Sequence, residues 1–292
     1  KFLQYVEAGI EIGNQYFLRA LPTRALESIN SALSMLKYGE RLGLSKDEMN
    51  QLFAFAHNRL GVSYHLACHS EDAKREFDTS LEYSKACNDV RFAHHTHLDI
   101  ASIYCFTDVN RRQKHFNRAN ELLHQHLTRR ERRNTKQIGY QLYFDCLADN
   151  NIFTRNQLYG NALEALEKGF IYEASSILLF YITSCIMAHE WEDAIEGLKS
   201  VLDLTALTED QRARIYVYHY FSIVEDACGQ TDEAMSWNTR LRQILDEDTL
   251  FKGTTLDNAS DANTTILQNI ESEPRPSLSH CGRLYWVRYT GL

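Results

Sequence analysis

Proline is nearly missing from this chain. Among 292 residues only Pro22, Pro274 and Pro276 occur, so between Pro22 and Pro274 no ring obliges a helix to break. Turn formers are also scarce for an all-β protein of this length, which leaves helices as the expected structure. Long apolar runs are absent too. The longest uncharged apolar stretch, Ala174 to Ala188, falls short of the roughly 20 residues a membrane span needs and carries several hydroxyls, so it reads as a buried helix. No CxxC pair exists among seven dispersed cysteines, which suits reduced thiols in a cytosolic protein better than a disulfide framework. Neither GxxxxGK[ST] nor GxGxxG occurs, so no phosphate-cradling loop is expected. His189-Glu190-Trp191-Glu192-Asp193 begins like a zincin motif but places Asp193 where the second histidine belongs, and reads as the turn before a helix. His65 and His69 beside Cys68, and the cluster His94, His95 and His97, supply no set of four ligands and read as packing residues. No enzyme, no metal and no cofactor are expected. The chain opens at Lys1 without an initiator Met, a basic n-region or an apolar h-region, so we expect a piece of a larger protein with no signal peptide. A net charge of −8 argues against a protein that coats nucleic acid.

What is present is a repeat. His57-x2-Leu60-Gly61-x2-Tyr64 is followed by Ala73-x3-Phe77-x2-Ser80, and upstream Ile12-Gly13-x2-Tyr16 is followed by Ala25-x3-Ile29-x2-Ala32. Ile100-Ala101-x2-Tyr104 with Phe116-x2-Ala119 continues the series. Two later second helices, Trp191-x2-Ala194-x3-Leu198-x2-Val201 and Asp232-x-Ala234-x3-Asn238-x2-Leu241, extend it. A small residue on each helix permits close approach, and large residues fill the gap between units. Cys105, Cys146, Cys185 and Cys228 recur about once per unit, as a small buried hydrophobe would. Helix pairs are predicted at about 1–20 and 22–42, 46–68 and 70–87, 90–106 and 110–127, 134–149 and 155–169, 171–188 and 190–204, and 209–228 and 231–250. Ser70 and Thr231 are predicted as hydroxyl caps, with acidic residues in the first turns behind them. The fourth pair is the weakest, because Gly139 and Leu142 fit the offsets poorly.

These offsets resemble the tetratricopeptide repeat over about residues 7–245, with units of about 40 residues instead of 34. The resemblance implies an all-α, right-handed solenoid of about six helix hairpins over 1–251. Residues 252–292 are expected to form a polar linker and an aromatic tail, Arg283 to Tyr289, docked as a cap. In that family the concave face is lined by fixed offsets of each first helix. Here these give Asn14, Phe17, Phe55, Asn58, His65, His95, Tyr216 and His219 as a groove for a protein or peptide. The family's clamp for acidic chaperone tails is not matched: Asn14 fits, but Ile10, Arg59, Leu98 and Asp99 stand where its other polar contacts belong.

A basic stretch also stands out. Arg111, Arg112, Lys114, Arg118, Arg129, Arg130, Arg132, Arg133 and Lys136 face only Glu121 and Glu131, a net of +7 within a chain of −8. It reads as a solvated helix face, or as a patch for an acidic protein in preference to nucleic acid. Long, degenerate units also resemble the sensor arrays of bacterial STAND-type signal-transducing ATPases, including antiviral ones. That resemblance implies a recognition module attached to further domains of its own chain, in the cytoplasm. A ligand-sensing part of a transcription regulator or peptide-pheromone receptor, and a plain scaffold, are the alternatives.

Overall fold

The computed structural model describes residues 2–104, 108–126, 135–148, 151–254, 256–258 and 260. Among the described residues all regular structure is helical, with no strand. Among the described residues twelve α-helices form six successive hairpins. They are α1 (Phe2–Leu18) with α2 (Pro22–Leu36), α3 (Lys46–Leu66) with α4 (Ser70–Ala86), and α5 (Val90–Ile103) with α6 (Val109–His126). Then come α7 (Thr135–Ala148) with α8 (Ile152–Glu167), α9 (Ile171–Ala188) with α10 (Trp191–Thr208), and α11 (Gln211–Ala227) with α12 (Thr231–Leu245). Two 3-10 turns, Glu40–Leu42 and Thr249–Phe251, complete the set.

The helices divide into two compact units. Unit 1 holds α1–α6 with residues 248–254; unit 2 holds α7–α12 with the described residues from 256 to 260. Inside each unit every helix packs on its sequence neighbour, and first helices of successive hairpins also touch: α1 on α3, α3 on α5, α7 on α9, α9 on α11. That is the packing of an α-solenoid, in which each hairpin covers the apolar face its neighbour leaves open.

The small residues of the repeat sit where helices cross. Ala25, Ala73, Ala194 and Ala234 are fully buried, as are Ile29, Phe77 and Leu198. A Cβ built on Gly61 would lie 2.6 Å from the Phe77 ring, and one on Gly13 would lie 2.4 Å from Ile29 Cγ1. Only glycine permits those approaches. Gly139, whose offsets fit the repeat poorly, makes its close approach to the next hairpin instead: a Cβ built on it would lie 2.8 Å from Ile177 Cγ1 on α9.

A turn recurs as well. In four hairpins the residue two places before the second helix is left-handed: Ala20, Cys68, His189 and Gly229. Each is followed by an N–H that reaches back five residues: Leu21 to Tyr16, His69 to Tyr64, Glu190 to Cys185 and Gln230 to Glu225, at 2.8–3.0 Å. This is the Schellman closure of a helix end. His189 and Glu190 therefore form a turn, with Glu190 paired to the buried Arg155.

Several expectations are corrected. The helix expected to run to 42 ends at Leu36 and gives way to the turn Glu40–Leu42, closed by left-handed Gly43. The helix expected to run to 250, α12, ends at Leu245. The helix expected from 155 starts at Ile152, because the Asn151 carboxamide oxygen accepts from the N–H groups of Phe153 and Thr154. Ser70 and Thr231 do not cap: they are the first helical residues, behind His69 and Gln230, and Thr231 Oγ1 is buried without a hydrogen-bond partner. Ser45 caps instead, in a reciprocal box with Glu48. Cys146 and Cys185 are buried, but Cys228 is exposed, so the once-per-unit thiol is not uniformly a core residue. Cys105 lies outside the described residues, as does the segment Arg283 to Tyr289.

The segment after α12 is held in place. In unit 1, the Asp248 carboxylate accepts from the backbone N–H of Thr23 at 2.9 Å and from its hydroxyl. His69 Nε2 lies 3.0 Å from the Leu250 carbonyl, and Phe251 is buried. Asp248 thereby supplies a carboxylate to the N-terminus of α2, whose own N-cap, Leu21, has no side chain able to do so. In unit 2, Asn238 donates to the Ser260 carbonyl and Arg242 pairs with Asp257.

α9 is long and apolar enough by length and composition to cross a membrane, yet 56% of it is buried inside the protein. Its hydroxyls, Ser175, Ser176, Thr183 and Ser184, donate to carbonyls four residues back. A core helix keeps polar atoms satisfied in this way.

Candidate functional site

Six of the eight predicted groove residues fall in unit 1: Asn14 and Phe17 on α1, Phe55, Asn58 and His65 on α3, His95 on α5. Tyr216 and His219 belong to α11 in unit 2. Their environments differ sharply. Phe17, Asn58 and His219 are buried, at 8%, 3% and 1% exposure. Asn14, Phe55, His65, His95 and Tyr216 are half-buried.

Asn58 illustrates why an offset alone misleads. Its amide nitrogen donates to Thr96 Oγ1 at 3.2 Å and to Asp99 Oδ2 at 3.0 Å, both on α5. Both amide hydrogens are thus committed to the neighbouring hairpin. Thr96 Oγ1 also lies 3.3 Å from Ser80 Oγ, which donates to the Ala54 carbonyl at 2.7 Å. This buried seam ties α3, α4 and α5 together, and Asn58 has no donor left for a ligand backbone. His219 is likewise a core residue: its ring lies 5.9 Å from Tyr220, its Nδ1 has no hydrogen-bond partner, and burial pulls its pKa down to about 4. It stays neutral at pH 7.

Phe55 is different. It packs 5.5 Å from Phe92 across the α3–α5 boundary, and the Arg59 guanidinium lies 5.1 Å over its ring. His65 sits nearly three turns beyond Phe55 on α3, its pKa lowered by burial against the opposing field of Asp99. On α5, His95 meets His94 edge-on at 5.0 Å. The half-buried part of this face is therefore Phe55, Arg59, Phe92, His65, His95 and Asp99. It combines aromatic anchors with one cation, one carboxylate and two imidazoles. Such a surface suits an extended or helical peptide that contributes an apolar side chain flanked by polar groups. Phe92 escaped the sequence reading because it lies outside the repeat offsets, although its spacing of three from His95 puts both on one helical face.

The basic stretch is only partly described. Arg111, Lys114 and Arg118 are exposed, Arg111 pairing with Asp108 at 3.3 Å and Arg118 with Glu121 at 2.7 Å. Arg112 is buried at 7% and leaves the patch. It precedes Phe116 by four residues, the offset at which other hairpins carry a buried alanine, so it faces the helix crossing. Arg129, Arg130, Arg132 and Arg133 lie outside the described residues.

Among the described residues no group of three or more His, Cys, Asp and Glu side chains converges in metal-binding geometry. No protein-family profile matches the chain, and no curated protein matches it.

Proposed function

We propose that this chain is a tetratricopeptide-like recognition module, its hairpins stacked with the right-handed sense of that family. It binds a protein or peptide on the face formed by the first helices α3 and α5. It acts in the cytoplasm, without catalysis or cofactor, as the sensor part of a larger protein of the signal-transducing ATPase kind. The reading is supported by one observation above all. Phe55, Arg59 and Phe92 form a partly exposed aromatic–cation cluster that straddles two hairpins, while the residues beneath it are already satisfied by Asn58, Thr96 and Asp99. Rigid aromatics offer large contact area at small entropic cost, which is why they anchor interfaces.

A displayed random-peptide library selected on the full chain tests this. Recovered peptides should bind the wild type and lose at least about fivefold in affinity against Arg59→Ala and Phe92→Ala, corresponding to about 1 kcal/mol. Peptides indifferent to both substitutions would place recognition elsewhere.

A further inference from the structure

Beyond the first-helix face, unit 1 contains a cleft between the second helices α4 and α6. Its volume is about 290 Å³, and its lining is Lys74 and Asp78 from α4, Ile100 from α5 and Tyr104 just beyond its end, and Arg111, Lys114 and His115 from α6. The spacing explains the convergence. Lys74 and Asp78 are one turn apart on α4, and Arg111, Lys114 and His115 occupy one face of the first turns of α6. The floor is apolar Ile100 and the nearly buried Tyr104 ring.

Two cations crowd that ring. Lys74 Nζ lies 4.9 Å from its centroid and the Arg111 guanidinium 5.4 Å. Arg111 also donates to the Tyr104 hydroxyl at 3.1 Å, which leaves the phenolic hydrogen able to donate. Three cations and one carboxylate line the cavity, a net of +2 with the His115 imidazole counted as neutral. Bringing like charges together over a low-dielectric floor is unfavourable unless an anion joins them. The carboxylates that pair with these cations stand at the rim: Glu71 with Lys74 at 2.6 Å and Asp108 with Arg111 at 3.3 Å. Glu71 is 86% exposed. Exposed pairs of this kind contribute little and give way readily to a more highly charged partner.

We propose that the Lys74–Tyr104–Arg111–Lys114 cleft binds a phosphate monoester. A carboxylate brings a single negative charge spread over two oxygens. The cleft gathers Lys74, Arg111 and Lys114 around the Tyr104 ring, and the net +2 of its lining suits a dianion with several acceptor oxygens. The site is separate from the Phe55 face and stands whether or not that face binds a peptide.

Calorimetric titration of the full chain with inorganic phosphate, glycerol phosphate and a phosphoserine peptide, all at matched ionic strength, tests it. Saturable binding should appear, and Lys74→Ser combined with Arg111→Ser should weaken it at least tenfold with an unchanged melting temperature. The Arg111 side chain is 63% exposed and that of Lys74 22%, and Lys114→Glu, at an exposed position, gives a second, independent disruption. Tighter binding of the phosphopeptide assigns the ester to a protein, and tighter binding of glycerol phosphate assigns it to a small molecule. Equal binding by the variants would overturn the proposal. So would a response no greater than that to chloride or acetate.

Discussion

In unit 1 a buried polar seam runs between the first helices α3 and α5 beside the Phe55–Phe92 contact, whereas in unit 2 stacked rings join the first helices α7 and α9. Asn58, Thr96 and Asp99 form the link between α3 and α5. The matching position between α7 and α9 is held by Tyr143 stacked 4.4 Å from Phe180, with Tyr140 at 5.0 Å from the same ring. Between α9 and α11 the Thr183 and Tyr220 hydroxyls hydrogen-bond at 3.2 Å. A buried polar seam specifies its partners closely and fails abruptly when one is removed, while an apolar seam loses stability in proportion to the contacts deleted. The seam also explains why the recognition face is proposed for unit 1. Beside that satisfied polar link Phe55, which also packs on the apolar core of unit 1, and Phe92 remain half-buried and open to a partner.

The comparison can be strained most severely in unit 2. Phe221 is 2% exposed and stacks 4.4 Å from Trp237. Phe221→Ala should therefore cost about 3–5 kcal/mol, read by chemical denaturation. In unit 1, Gly61→Leu forces a side chain into the Phe77 ring and should cost about 1–3 kcal/mol or unfold the unit. An unchanged melting temperature would contradict the helix register.

Acid should stress both units. Burial holds His97 and His219 at about 4, and His97 is further opposed by His115, whose Nδ1 lies 3.0 Å from its own. The unfolded chain titrates near 6.5. Between those values the unfolded state binds protons that the folded state refuses, so stability is complete above about pH 6.5 and falls as pH drops toward 4. A melting temperature flat across that window would refute the buried, neutral assignment.

Asn58→Ala should cost about 1–3 kcal/mol, because Thr96 and Asp99 lose a donor inside the protein. Thr183→Val in unit 2 should cost about 1 kcal/mol or less. A reversal of that order would dissolve the contrast between the two seams. The smallest effect is expected at the recurring turn. Cys68→Gly relieves a left-handed side-chain residue and should stabilise unit 1 by up to about 1 kcal/mol.

Much of this fold is legible in the chain because the repeat is written in helix crossings. Ala73, Phe77 and Gly61 announce a close contact by their sizes and spacing alone, and the same offsets place Ala25, Ala194 and Ala234. The site was less legible. Asn58 depends on Asp99, 41 residues away, and no local pattern reveals that its amide is committed there. Arg112 misleads for the opposite reason. Its charge suggests solvent, but the register puts it at a crossing, where its long aliphatic stem is buried. The early end of α2 at Leu36 was also hidden, since the residues that follow it, Lys37 and Tyr38, tolerate a helix well.

Phe55 separates recognition from packing most directly. Phe55→Ala, measured both for affinity toward a selected peptide and for melting temperature, should weaken binding by at least about 1 kcal/mol while the melting temperature stays within a few degrees of wild type. A loss of about 3–5 kcal/mol in stability with unchanged affinity per folded molecule would show that Phe55 belongs to the core, and would contradict the proposed face.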